Sequence, residues 1–213
     1  MKHRNYSVTD IESWKFQSIE MPDVWKDHLG ELVQNFRMII EGQPGHGKTE
    51  YLLQLTKMLA KTYGKVNLNN VEQGRSASLK EAVMRNRISE LNQDTKTRGK
   101  WILADKSQHT FDAWFKRLER PNSGRIIALD SIDYMKLTIE QFKQIHQRFP
   151  HKAIILVCWN DPMDINSKKI RYMCDCKVEV KNYVAKIRSR FGGNRDYVIW
   201  DKPHTGQIKM FAT

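Results

Sequence analysis

At 213 residues and 40% hydrophobic content, the chain can bury one α/β core and is too short for a second large domain. Its 36 Lys and Arg against 24 Asp and Glu leave a net charge of +12, which favours polyanionic partners, although basic side chains on solvated helix faces give the same composition. Three cysteines exclude a disulfide scaffold, Cys174 and Cys176 lack a second pair at zinc-finger spacing, and no apolar run reaches the roughly 18 residues of a membrane span or resembles a secretory leader. Reduced, packed thiols in a soluble intracellular protein are the expectation.

In chain order, residues 1–30 mix Trp14, Phe16, Ile19, Met21, Val24, Trp25 and Leu29 with polar groups and read as a lead-in packed on the core, closed by Gly30. Residues 31–213 read as the domain proper. A short apolar strand over 36–41 feeds Gly42. The spacing of Leu52, Leu55, Met58 and Leu59 predicts a helix over 49–63 before Gly64. A strand over 65–71 and a helix over 78–91 follow, then strands at 101–104 and 125–130 with a helix at 110–119 between them. Thr138 and Gln141 stand at capping-box spacing for a helix over 138–149, ahead of the apolar strand 153–158. Beyond it, short alternating runs at 177–180, 184–190, 196–200 and 207–211, the last two joined through 203–206, predict a small antiparallel extension. The fold class is therefore α/β, in three layers, with a mostly parallel central sheet and an antiparallel C-terminal addition.

Residues 42–49 read Gly-Gln-Pro-Gly-His-Gly-Lys-Thr, a complete GxxxxGK[S/T] match placed between a strand and a helix. Glycines let successive N–H groups turn toward phosphate oxygens, and the following helix adds its positive end. The candidate nucleotide-binding set is Gly42, Gln43, Pro44, Gly45, His46, Gly47, Lys48, Thr49 and the next residue, Glu50. Lys48 is expected on the β- and γ-phosphates and the Thr49 hydroxyl on Mg²⁺, with ATP as the nucleotide. His46 occupies a variable position and reads as merely tolerated.

Such a loop needs a carboxylate at the end of a nearby strand to hold the metal, and Asp130 after Ile126–Leu129 fits. Ser131, not glutamate, follows it, so the base that polarises the attacking water must come from elsewhere. Glu72, at the end of the strand after the P-loop helix, is the candidate. An exposed glutamate before a glycine turn is the competing reading.

Together these residues resemble the RecA superfamily, most closely its RadA-like and DnaB-helicase-like branches, over about residues 20 to 211. In that superfamily the catalytic glutamate follows the second core strand, where Glu72 stands, and residues 129–133 (LDSID) are similar to the metal-binding strand end. Lys186-Ile187-Arg188-Ser189-Arg190-Phe191-Gly192 resembles the RadA-type KNRFG box and the DnaB-type KxR finger. The resemblance implies that Lys186, Arg188 or Arg190 enters a neighbouring subunit's site in a ring or filament, while a basic strand facing solvent or DNA is the alternative. Cys158-Trp159-Asn160 stands where relatives carry a polar sensor.

The resemblance also implies a DNA-dependent ATPase of recombination or replication, in the cytoplasm of a bacterium or a phage-infected host. DNA would meet the loops after the strands that end at Asp130 and Cys158, with Lys168, Lys169 and Arg171 as the basic residues there. No pattern for base-specific readout is present. Two other readings stay open: an ATP-gated assembly switch or loader with little turnover, and a small-molecule or nucleotide kinase.

Overall fold

A computed structural model describes residues 5–160 and 163–200. The lead-in holds α1 (Val8–Glu12) and α2 (Asp23–Leu29), and then strands and helices alternate. They are β1 (Arg37–Glu41), α3 (Lys48–Thr62), β2 (Val66–Asn70), α4 (Ala77–Arg85), β3 (Trp101–Leu103), α5 (Phe111–Leu118), β4 (Ile126–Asp130) and α6 (Ile132–Met135). After these come α7 (Ile139–Arg148), β5 (Ala153–Cys158), α8 (Ile165–Met173), β6 (Cys176–Lys181), β7 (Val184–Ser189) and β8 (Tyr197–Val198).

The strands form one sheet in the order β3-β2-β4-β5-β1-β6-β7-β8. Each central strand is buried on both faces, which is why its sequence is a continuous apolar run rather than an alternation. Met38, Ile40, Ile126, Ala128, Ile155 and Val157 face α3 and the lead-in, while Ile39, Ile127, Leu129, Ile154 and Leu156 face the layer containing α5, α7 and α8. The three-layer, mostly parallel arrangement is the one predicted. At the edge the prediction needs correcting: β6 runs parallel to β1, so the antiparallel addition begins only at β7.

The helix predicted over 78–91 is broken in two. Asn86 turns its side-chain amide back to the Ala82 carbonyl (2.8 Å) and across to Glu50, and Arg87 takes a left-handed conformation (φ 49°). The chain resumes as a 3₁₀ turn, Ile88–Asn92, which still buries Ile88 and Leu91. An apolar periodicity can span such a break because both pieces cover the same core.

In the lead-in, Ile19, Trp25 and Leu29 join the core, whereas Trp14, Phe16 and Val24 are exposed. Gly30 closes α2 at φ +76°, and a Cβ there would lie 2.1 Å from the Phe191 carbonyl oxygen, so only glycine lets the two segments touch. Trp25 stacks on Tyr197 (4.3 Å between centroids), and His28 hydrogen-bonds the Tyr51 hydroxyl (2.9 Å). The three cysteines are free and buried, as expected, and burial pushes the Cys176 thiol up to about 12. The run predicted over 207–211 and its turn lie outside the described residues. No helix among the described residues is long and apolar enough to cross a membrane.

Candidate nucleotide site

The register of the sheet assembles the site. β2 and β4 pair so that Asn70 lies beside Asp130, and the N–H groups of Val71 and Glu72 donate to the Asp130 carbonyl (2.6 and 3.1 Å). The turn after β2 is thereby held against the end of β4, across from the loop between β1 and α3.

In that loop Gly45 (φ +80°) has open space where a Cβ would stand. Gly47 (φ +100°) is the N-cap of α3, and a Cβ on it would come 2.9 Å from Cδ1 of Tyr183. The ring of Tyr183 therefore sets how much room the loop has. Tyr183 and Asn182 form the two-residue turn between β6 and β7, both with positive φ (62° and 50°), as a tight hairpin demands. Their N–H groups reach back to His46: Asn182 donates to its Nδ1 (3.1 Å) and Tyr183 to its carbonyl oxygen (3.1 Å). His46 is thus an attachment point for the hairpin, not the merely tolerated residue that its position suggests.

Lys48 is buried, and its Nζ donates to the carbonyls of Gly42 (2.8 Å) and Gln43 (3.0 Å). Burial pulls its pKa down, against the pull of Glu72 and Asp130. Among the described residues no carboxylate lies at ion-pair distance from it, so it is a buried cation on neutral acceptors that phosphate oxygens can replace. Thr49 Oγ1 donates to Asp130 Oδ2 (3.1 Å), which also accepts from Asn70 Nδ2 (3.3 Å). Burial and the nearby Glu72 push Asp130 up to about 7, against Thr49 and Lys48.

Glu72, half-buried, lines the same cleft as Lys48, Thr49, Asp130 and Tyr183. The donor set fits magnesium with a nucleotide. Mg²⁺ prefers one or two protein oxygens, waters and phosphates to an all-protein cage, and among the described residues no group of three or more acidic, His or Cys side chains is placed to hold a metal ion by itself.

Glu50 lines the cleft with the phosphate loop, and its carboxylate accepts from Arg85 Nε (3.1 Å) and Nη2 (2.5 Å) and from the Asn86 amide. Other expected residues fall elsewhere. Lys186, Arg188 and Arg190 are exposed on or next to β7 and do not line this chain's own cleft. Lys186 lies 3.7 Å from Asp196 and Arg190 3.5 Å from Asp175, while Arg188 sits opposite Lys177. On α8, Lys168 and Lys169 are exposed, and Arg171, partly exposed beside Lys168, forms a two-pronged pair with Glu41 (2.6 and 2.8 Å). Asn160 is half-buried, and its Oδ1 has no partner among the described residues.

Sequence reasoning missed Asn70, Arg85 and Tyr183. Ser78, Ala82 and Arg85 line the cleft at i, i+4, i+7, a helix-face signal visible in the sequence. Nothing local points to Tyr183.

Among solved structures the chain is similar to the flagellar accessory protein FlaH of Methanocaldococcus jannaschii (15% identity, TM-score 0.59, covering 85% of this chain and 92% of that one). It is also similar to a KaiC-like protein of Pyrococcus horikoshii (12% identity, TM-score 0.57, covering 84% of this chain and 94% of that one). At these identities the likeness establishes the fold, which is the RecA-like P-loop fold. No curated protein sequence matches the chain. The profile of the poxvirus A32 protein family matches residues 26–191, from α2 through β7 and the basic segment after it, and the chain belongs to that family.

Proposed function

We propose that the chain is a Mg²⁺-dependent ATPase, stimulated by DNA, that hydrolyses ATP between subunits of a ring or filament in recombination or replication. The observation that carries this reading is the convergence of Lys48, Thr49, Asp130 and Glu72 on one cleft at the C-terminal edge of the sheet. Loop N–H groups and Lys48 hold the phosphates, and Thr49 and Asp130 would hold the metal, which supplies charge neutralisation on the transferring phosphoryl group. Glu72 orients and polarises the attacking water. Arg188, with Lys186 and Arg190 beside it, is left to meet a neighbour's γ-phosphate, since none of them lines this chain's own cleft. Lys168 and Lys169 are the exposed DNA contacts on α8.

The decisive measurement is ATP turnover titrated with single-stranded DNA, double-stranded DNA and RNA at two salt concentrations. Stimulation by DNA that weakens as salt rises is the expected result. Turnover indifferent to every polymer would remove DNA from the reading.

A second reading, an ATP-gated assembly switch with little turnover, is favoured by Ser131 standing where a glutamate could follow Asp130. Light scattering with and without ATP separates the two: assembly on ATP with negligible turnover supports the switch.

A further inference from the structure

The N-terminal edge of the sheet, opposite the nucleotide cleft, carries a row of cations. Four neighbouring parallel strands, in the spatial order β3, β2, β4, β5, are each preceded by a basic residue: Lys100, Lys65, Arg125 and Lys152. Adjacent strands lie about 4.8 Å apart, so the sheet spaces these side chains along a line. All four line one open cleft of about 750 Å³, together with His151, and no Asp or Glu lines it.

The cleft is built rather than incidental. Gly124 (φ +98°) lies so close to Lys65 that a Cβ would stand 2.8 Å from the Lys65 carbonyl oxygen. Arg125 packs its stem on Gly64 and holds its guanidinium 5.8 Å from the centre of the Tyr63 ring. Lys152 Nζ is seated on Ser123 Oγ (2.7 Å) and the Gly124 carbonyl (2.5 Å). Among the described residues none of the four has an acidic partner. The row ends at β1, where Arg37 is taken by Asp175 (3.0 Å). A chain folding for stability alone would pair such charges or scatter them, because like charges this close repel.

We infer that this cleft binds the phosphodiester backbone of a nucleic acid, giving the protein a polyanion site on the edge of the sheet remote from the phosphate loop. A linear array of cations with no acid among them matches a linear array of phosphates, and side chains entering from strand ends carry no pattern for reading bases. The assignment does not rest on ATP hydrolysis.

The test is fluorescence anisotropy with labelled single-stranded DNA, duplex DNA and single-stranded RNA, without nucleotide, across a salt series. The Lys65→Gln/Lys100→Gln/Arg125→Gln protein is compared with wild type and with Lys168→Gln/Lys169→Gln. The expected result is affinity weakened about tenfold or more in the triple variant, with the slope of log K against log salt shallower by about 2 to 3. The α8 variant keeps that part of the slope. Whichever polymer binds best identifies the source of the backbone. An unchanged slope and affinity in the triple variant overturns the inference, as does a polyglutamate peptide that binds as tightly as the nucleic acids. ATP binding and the thermal midpoint report whether the triple variant is folded. If it is not, acetylation of wild-type Lys65 and Lys100 must be suppressed by bound nucleic acid, and full modification overturns the inference.

Discussion

Arg85 of α4 holds Glu50 of α3 through two nitrogens on one carboxylate oxygen, at 3.1 and 2.5 Å. Glu50 directly follows the hydroxyl residue of the phosphate loop, and its side chain is only 11% exposed. The pair therefore sets the spacing between the P-loop helix and the helix that flanks the cleft. Arg85→Ala leaves a buried carboxylate with the Asn86 amide alone, and should destabilise the protein by about 2 kcal/mol in urea unfolding. Adding Glu50→Gln should recover part of that loss, because the uncompensated charge is gone. Failure of the double variant to recover any stability would show that packing, not charge, is what the arginine supplies.

Asp130 is held neutral more than is usual for a carboxyl, with its pKa raised to about 7 by burial and Glu72. Between the ordinary aspartate value and about 7 the folded state binds more proton than the unfolded one. Stability of the nucleotide-free protein therefore falls as pH rises through that window, and the loss is complete above about 7. Asp130→Asn removes this cost. Its thermal midpoint should exceed that of wild type at pH 8, the gap should close near pH 4, and Mg²⁺-dependent turnover should be lost. Parallel melting curves from pH 4 to 8 would contradict the assignment.

Glu72→Gln keeps the shape of the cleft and removes the base. Turnover should fall by roughly 10²- to 10⁴-fold while ATP binding persists. Equilibrium binding of a fluorescent ATP analogue, measured beside steady-state hydrolysis, separates the two effects. Unimpaired hydrolysis would exclude Glu72 as the base.

If Arg188 acts across an interface, two inactive proteins should complement each other. A mixture of Lys48→Ala and Arg188→Ala subunits contains interfaces where an intact phosphate loop meets an intact arginine. Turnover of the mixture should exceed that of either variant alone, by up to about one-quarter of the wild-type rate if subunits mix at random and each dimer interface works independently. No gain on mixing would place the arginine's action within its own chain or nowhere.

The parts of this fold legible in the sequence are those where one local rule dominates. Buried parallel strands such as Ile126–Asp130 and Ala153–Cys158 announce themselves as apolar runs, and the phosphate loop combines glycine geometry with a fixed spacing. Asp130 could be placed because a metal-bound nucleotide needs a carboxylate at a strand end. What could not be read depends on contacts between distant segments. Nothing near Glu50 in the sequence announces its partners Arg85 and Asn86, 35 and 36 residues later. Arg171 looks like a free basic residue until Glu41, 130 residues earlier, meets it at the end of β1. Charged side chains advertise their charge and conceal their partners.

The clasp between His46 and the turn at Asn182 has a bearing on how the protein is made. The two hydrogen-bonding residues are 136 positions apart. A growing chain that has just left the ribosome with its P-loop and first long helix holds the whole phosphate motif, yet lacks the hairpin that presses on it. The loop's final shape must wait until the sixth and seventh strands have emerged and docked. A ligand that needs the finished loop is therefore expected to stabilise the completed domain and not an N-terminal fragment.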